Sequence, residues 1–476
     1  MSVRYNFLVP QVIMVFLVLG SLELAGLMPG PDSAWGEDKI QGSGLPGRWE
    51  GRTEPFSARA TLGKSLIEPG RIQVDFLKVG ITGTPSTVSR PRPPLNIGIV
   101  LDCSGSMVGK KIEDAKAAAL FAISQLGPND SFSLVTFDTV ARVVIPSGKP
   151  DVFTEGTRSM IRAIQPNNCT NLFDGLLLGA SEVKKQWGTG RVNRLILLSD
   201  GMANVGPSST SDIASLGQSL ARAGISVTTL GIGRDYNQEL LTRLALMSEG
   251  NHAFIRETEE LTGIFVREFG DLLQVAATDI SITVTCQGMK PVRALGREGV
   301  ISGQSITLSL NQVYGNQEKY LLLEVEIPAS ASQENPPSAD ISFSGFDPIS
   351  GKTVVLAGKV GVGFSNDSQE LAKGRDEETE ATAFSHQTDL EYRKAMDEIA
   401  KGEIDKARQT IAMNLENIAR GKASYANMRV ILGAVEMYNM DAVETLAPQS
   451  MTPAQREELL KAMSENLHRG ASQQNW

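Results

Sequence analysis

Asn96-Ile97-Gly98-Ile99-Val100-Leu101-Asp102-Cys103-Ser104-Gly105-Ser106-Met107 is the stretch on which the fold turns. An apolar run rich in β-branched residues ends abruptly in an acid, two hydroxyls and a glycine. This pattern reads as a buried parallel strand whose C-terminal end enters a tight polar loop. Directly after it, Ile112, Ala115, Ala119, Ala122, Ile123 and Leu126 fall at helical spacing, so the unit is strand, oxygen-rich loop, helix. In open α/β sheets ligands bind outside the carboxyl ends of the strands, where this loop lies.

The loop has the chemistry of a hard-cation site. Asp102, Ser104 and Ser106 stand at alternate positions, and a sharp turn aims all three at one point. Gly105 permits that turn without a Cβ clash. Mg²⁺ takes oxygen ligands in octahedral geometry and keeps several waters. Taken alone, the triplet serves equally as an Asx or Ser turn capping the next helix. The rest of the chain has to decide between the two.

With 476 residues the chain has room for two or three domains, and its net charge of −9 argues against a general nucleic-acid binder. Near the N-terminus, Arg4 precedes the apolar run Val12–Gly20, and Pro29-Gly30-Pro31 follows it. That is the layout of a secretory signal, with Ala34-Trp35-Gly36 as the cleavage candidate. The same run, extended to Met28, approaches spanning length and serves equally as an uncleaved membrane anchor. Residues 1–36 are therefore read as a signal peptide or signal anchor, and both readings export the bulk of the chain to an extracytoplasmic location. Residues 37–55, rich in glycine and charge, read as a linker. The three cysteines, Cys103, Cys169 and Cys286, leave one thiol over in an oxidising compartment.

Beyond the first helix, Ser131–Phe137 and Ala141–Ile145 alternate as strands, and the short Asp138-Thr139 link makes them a hairpin with one antiparallel edge strand. Helical patterns over Val152–Ile164 and Leu172–Trp187 flank the polar loop Asn167-Asn168-Cys169-Thr170-Asn171. Arg194–Gly201 then repeats the opening theme, an apolar strand ending in an acid and a glycine. Helix, strand, helix and a short strand follow over Ser211–Ala223, Ile225–Leu230, Asn237–Ser248 and His252–Ile255, with a closing helix over Thr258–Gln274. Strands alternating with helices over this length mean a doubly wound, mostly parallel sheet covered on both faces, an α/β fold.

On these motifs, residues 95–275 resemble a von Willebrand factor type A domain with a complete metal-ion-dependent adhesion site. Asp102-x-Ser104-x-Ser106 matches the first metal loop, Thr170 in Cys169-Thr170-Asn171-Leu172 the threonine loop, and Asp200 in Leu198-Ser199-Asp200-Gly201 the third. The resemblance implies that Ser104 and Ser106 coordinate Mg²⁺ (or Mn²⁺ or Ca²⁺) directly. It implies that Thr170 does so directly or through water, and that Asp102 and Asp200 act mostly through bridging waters. Carboxylates held back in this way leave the ion electrophilic, with one open position for the Asp or Glu of a protein partner. If both neighbours approach one ion, Cys103 and Cys169 pass within reach of each other. A bridge pinning the two loops is expected, against the alternative of two small buried thiols. Cys286 is expected to be unpaired and buried. Asn168-Cys169-Thr170 is a formal glycosylation sequon, taken as accidental because a sugar there would cover the site.

The flanks read as β-structure and helix. Strand character over 56–94 is too short to bury itself, so these strands are expected to join those of 276–365 in a β-sandwich, with the α/β domain inserted between. This arrangement resembles bacterial exported von Willebrand type A proteins and, more loosely, the heavy chains of inter-α-trypsin inhibitor. Residues 366–380 read as a linker and 381–476 as a helical region. Its first two amphipathic stretches resemble a lone tetratricopeptide unit or a tail packing on itself. An enzyme is the first rival reading. Three isolated histidines, His252, His386 and His468, and the lack of any zinc-protease, nucleophile-elbow or phosphate-loop motif leave a hydrolase without a signal. The expectation is an exported, metal-dependent protein-binding module. The further rival is an extracytoplasmic scaffold or sensor that binds through its helical tail.

Overall fold

The computed structural model describes residues 46–85, 92–149, 154–167, 169–200, 203–232, 237–255, 274–297, 299–425 and 429–446, with isolated positions in 263–270 and 451–463. The segment 1–36, residue Asn168, nearly all of the closing helix over 258–274 and most of the chain past 446 lie outside the described residues.

Strands run β1 Arg48–Arg52, β2 Phe56–Leu62, β3 Leu66–Ile67 and β4 Gln73–Gly83, then β5 Leu95–Asp102. After β5 come α1 Lys110–Ser124, β6 Ser131–Phe137, β7 Ala141–Gly148, α2 Glu155–Arg162, α3 Leu172–Lys184 and β8 Val192–Ser199. The α/β part ends with α4 Thr210–Arg222, β9 Ser226–Ile232, α5 Gln238–Met247 and β10 His252–Ile255. Its six strands lie in the order β10-β9-β8-β5-β6-β7. All neighbours are parallel except the β6–β7 pair, which places one antiparallel strand at the edge.

The central strand β5 is buried along its whole length, as a strand covered on both faces must be. The pleat sorts its side chains. Ile97, Ile99 and Leu101 pack with Ile112 and Ala119 of α1 and Ile161 of α2. Val100 faces the other way, into Leu176 and Val183 of α3, Leu220 of α4 and Leu241 of α5. Helix α3 lies unusually close to the sheet. A Cβ at Gly179 would stand 2.5 Å from Val100 Cγ2, and one at Gly98 would stand 2.7 Å from Val183 Cγ2. A glycine on each element, each facing a valine of the other, therefore permits that spacing.

Eight further strands follow: β11 Val275–Gln287, β12 Lys290–Leu295, β13 Val300–Ser302, β14 Ser305–Tyr314, β15 Glu318–Ile327, β16 Ser338–Asp347, β17 Lys352–Gly361 and β18 Gly363–Phe364. Two five-stranded antiparallel sheets result, ordered β1-β2-β4-β15-β12 and β13-β14-β11-β16-β17. One apolar core lies between them, with Leu77, Val79 and Ile81 of β4 meeting Ile282, Val284 and Phe343. Strand β4, which precedes the α/β part in sequence, pairs with β15, which follows it, from Gln73↔Ile327 to Thr82↔Glu318.

These sheets seat the N-terminal ends of the α/β strands. Asn311 donates its backbone N–H to Glu249 (3.1 Å) and its side chain to Ser226 at the start of β9 (2.9 Å). Lys319 pairs with the same Glu249 carboxylate at 3.4 Å. Arg194 of β8, fully buried, donates to Thr228 (2.9 Å) and to the Tyr314 hydroxyl. The C-terminal strand ends therefore point away from this seat.

The chain ends in helices α6 Ser368–Lys373, α7 Glu377–Ala400, α8 Ile404–Ser424 and α9 Arg429–Thr445. Tyr392, Ile399, Ile411, Leu432 and Val435 form their core. A buried polar ladder runs through it, with Thr410 on Glu398 (2.8 Å) and Asn414 on both the Thr388 carbonyl (2.9 Å) and Asn439 (3.1 Å).

Several expectations are corrected here. Residues 37–55, read as a linker, contain β1: Trp49 is 2% exposed and stacks on Phe343, centroids 5.8 Å apart. One aromatic between charged neighbours carries too little apolar pattern to reveal a strand. The linker expected at 366–380 holds α6 and the start of α7, each begun by an aspartate side chain, Asp367 and Asp376, that accepts backbone N–H groups of the first turn. Strands β12 and β13 had no counterpart in the sequence reading, whereas α7, α8 and α9 fall in the helical region expected over 381–476.

Candidate metal-ion site

The first loop is built from the end of β5 outward. Asp102 is fully buried and both its oxygens are held: the Ser104 N–H donates to Oδ1 (2.8 Å) and the Ser199 hydroxyl to Oδ2 (2.5 Å). Ser199 ends β8, so Asp102 ties the first loop to the third. A single 3₁₀ turn, Gly105–Met107, follows, with Met107 fully buried beneath it. That anchor brings the Ser104 and Ser106 hydroxyls to 3.0 Å of each other. Gly109 then turns the chain at φ +85° into α1.

The second loop carries Thr170, 2% exposed. Its N–H donates to the Asn204 side chain at 2.9 Å, and its carbonyl accepts from the N–H groups of Asn204 (3.1 Å) and Val205 (3.2 Å). Backbone bonds from Asn167 to the Cys103 carbonyl (2.6 Å) and from Asn171 to the Asp138 carbonyl (2.7 Å) join this loop to the ends of β5 and β6. The Asn171 side chain caps α3.

Asp200 opens the third loop, buried to 2% exposure. Its carbonyl accepts from the Asn237 N–H at 3.1 Å. Lys111 Nζ lies 3.2 Å from Oδ2, while the buried Oδ1 has no hydrogen-bond partner. An orphaned carboxylate oxygen is costly unless something else binds it.

The structure thus brings the loops bearing Asp102, Ser104, Ser106, Thr170 and Asp200 together at the carboxyl ends of β5, β6 and β8. Burial pushes the Asp102 carboxyl up to about 6, against the pull of its hydrogen bonds from Ser199 and Ser104, and the Asp200 charge adds to the rise. A nearby divalent cation is the species that relieves two buried carboxylates at once. Among the described residues, no group of three or more His, Cys, Asp or Glu side chains could hold a metal. The hydroxyls of Ser104, Ser106 and Thr170 and the unpartnered Asp200 Oδ1 are all oxygen, the donor chemistry that suits a hard divalent ion.

The expected Cys103–Cys169 bridge is not formed. All three cysteines are free thiols, and Cys103 Sγ is turned toward the Phe137 carbonyl (3.3 Å), inside the core beside β6. Burial raises the Cys103 thiol to about 11, with the charges of Asp138 and Asp102 adding to the shift. It stays protonated at neutral pH and is inert to exchange.

Four residues of the site escaped the sequence reading. Asp138, 3% exposed, directly follows β6 and accepts from Val140 (2.8 Å), Arg142 (2.8 Å) and Asn167 (3.1 Å). Burial alone would raise it, but these donors hold it below the usual carboxylate range. It is fully engaged in bracing the second loop. Its position at a strand end was the available signal. Ser199, Asn204 and Lys111 act only through contacts across loops, and no local pattern marks them.

Comparison with known proteins bears on this site. Residues 96–267 match the model of the von Willebrand factor type A domain family. The uncharacterized protein YfbK of Escherichia coli is 25% identical over 270 residues, covering 54% of this chain and 46% of its own length. Protein sll0103 of Synechocystis is 27% identical over 277 residues, covering 56% and 65%. Human inter-alpha-trypsin inhibitor heavy chain H4 is 30% identical over 212 residues, covering 42% and 22%. The chain thus spans less than two thirds of the length of each of these relatives. Among solved structures, a von Willebrand factor type A protein from Catenulispora acidiphila superposes with TM-score 0.60 at 17% identity, covering 85% of this chain and 92% of its own. The ArnB paralog VWA2 from Sulfolobus acidocaldarius does so with 0.57 at 16%, covering 88% and 99%.

Proposed function

We propose, on the premise that residues 96–267 are a von Willebrand factor type A domain, that this chain is an exported, metal-dependent protein-binding module. Domains of this family serve mostly as interaction modules rather than enzymes and commonly hold a divalent metal. In this reading Ser104, Ser106 and Thr170 hold Mg²⁺, Mn²⁺ or Ca²⁺ through their hydroxyls, with Asp102 and Asp200 behind them. When bound, the cation supplies an electrophilic position that accepts an Asp or Glu side chain of a protein partner. The chain's own part is to hold the hydroxyls together, keep both oxygens of Asp102 engaged and exclude bulk water through the buried loop floor. The observation that carries this is the buried Asp200 Oδ1 without a partner, on a third loop that the Ser199–Asp102 and Lys111–Asp200 contacts tie to the loop of the Ser104–Ser106 hydroxyl pair. Export rests on the N-terminal apolar run, acting as signal or anchor. Among the described residues, no helix is long and apolar enough to cross a membrane.

The test is capture of partners from an envelope fraction by the immobilised chain, with Mg²⁺ and with EDTA, beside Asp102→Ala and Asp200→Ala. The proposal expects both variants and EDTA to abolish the same bound protein. Capture that survives all three would overturn it. A second reading, binding through the helical region, has one observation in its favour. Met413, Met437 and Met440 are 65%, 68% and 53% exposed on adjacent helices, and exposed methionines suit adaptable binding surfaces. Chelator-insensitive capture lost in Met413→Ser with Met437→Ser would select it.

A further inference from the structure

We propose that Lys111 is a positioning residue of the metal site, holding one oxygen of Asp200 and offsetting its charge so that the bound ion keeps its pull on an incoming carboxylate. The inference rests on the metal-site reading above and goes on to say how the site sets its own charge.

Lys111 stands in the first turn of α1, directly after the Ser104–Met107 turn, and reaches across to the third loop, where its Nζ lies 3.2 Å from Asp200 Oδ2. The grip is unequal. The Asp200 side chain is 3% exposed and that of Lys111 32%, so the lysine closes the rim over a buried acid. With Oδ2 taken, Oδ1 is the oxygen left over, and it is buried and unpartnered. The contact thereby fixes which oxygen of Asp200 is presented.

Helix stability does not explain the lysine. Cations in the first turn oppose the positive end of the helix dipole. The one acid of that turn, Glu113, is already engaged by Lys116 at 2.9 Å. A charge count explains it better. Asp102 and Asp200 are both buried at the site, and as carboxylates they would bring a divalent ion to neutrality. Lys111 returns one positive charge, so the ion is held less tightly and an acidic ligand more tightly.

Opposite signs for metal and carboxylate make the idea testable apart from any partner. The full chain, Lys111→Met, Lys111→Gln, Lys111→Arg and Asp200→Ala are titrated with Mn²⁺ alone, free ion being read by electron paramagnetic resonance. The Mn²⁺-loaded proteins are then titrated with acetate, read by water-proton relaxation. The neutral variants should bind Mn²⁺ about tenfold tighter and acetate about tenfold more weakly, as loss of one nearby unit charge implies. Lys111→Arg should stay close to the parent, since it keeps the charge and the donor. Two neutral variants are used so that misfolding of one, seen as a lost thermal transition, leaves the other to decide. If Lys111 merely braces the loop, the neutral variants bind Mn²⁺ more weakly or unchanged, and the proposal falls while the metal site stands. A parent protein that binds Mn²⁺ no better than Asp200→Ala overturns the metal-site reading, and this inference with it.

Discussion

Asp75 and His386 show how single buried groups set opposite pH limits on the molecule. Asp75, 1% exposed on β4, accepts from the Lys64 N–H at 3.1 Å through one oxygen and has no partner on the other. Burial pushes it up to about 7 from an ordinary 3.8, partly countered by hydrogen bonds from the Phe76 and Lys64 backbone and by the Lys64 charge. His386 of α7, hydrogen-bonded to the Tyr320 hydroxyl at 2.8 Å, is pushed down to about 4 from 6.5 by burial, with Arg393, Arg297 and Lys78 adding to the fall. An acid with a raised folded value binds more protons folded than unfolded, so its contribution to stability is lost as pH rises from about 4 to about 7. A histidine with a lowered value does the reverse, and stability is lost as pH falls from about 6.5 to about 4. Asp75→Asn is therefore expected to gain on the parent steadily between pH 4 and 7, and His386→Gln to gain on it between pH 6.5 and 4. Urea midpoints across that range check both, and parallel curves for parent and variant would contradict the assignment.

At the scale of elements, what was legible in the sequence was what repeats locally. Leu95–Asp102 and Val192–Ser199 are uninterrupted apolar runs ending in polar residues, and both are central strands buried along their length. The acids and hydroxyls after them are legible for the same reason, since neighbours along the chain build those loops. Strand β1 was not legible because its evidence lies three hundred residues away. Arg48-Trp49-Glu50-Gly51-Arg52 becomes a strand because Trp49 fits between β17 and Phe343, where a Cβ at Gly358 would meet the indole. Ser199, reaching Asp102 across 97 residues, was hidden in the same way. Trp49→Ala should cost about 3–5 kcal/mol, the usual range for an aromatic removed from a packed core. Because Trp49 is remote from the metal loops, Mn²⁺ affinity of the folded variant should not change. Chemical denaturation gives the first quantity and a metal titration the second. A loss below about 1 kcal/mol would mean that β1 is only laid against the sheet.

For the whole molecule the decisive contact is the buried polar seat under the α/β sheet. Lys319, 6% exposed, is depressed to about 8 by burial, with the Glu249 charge opposing the fall. Such a pair holds its place only while both members are present, because a lone buried charge costs more than the pair gains. Glu249→Gln should therefore destabilise the protein by about 3–5 kcal/mol. Adding Lys319→Met should recover most of that loss. Urea unfolding of the two single variants and the double variant measures the coupling. Additive losses would show the two charges to be independent.

The pairing of β4 with β15 has a mechanical consequence. The α/β part leaves the chain after one of these strands and returns before the other, so it hangs beside the line of force instead of lying along it. Tension applied between Arg48 and the helices beyond Phe364 falls first on contacts that join the two ends of the sheets directly, the Gly47–Gly361 backbone bond (2.9 Å) and the short β3–β18 pair. The three loops at the carboxyl ends of β5, β6 and β8 sit on the slack branch. They stay assembled under a pull that would unravel a domain strung in series.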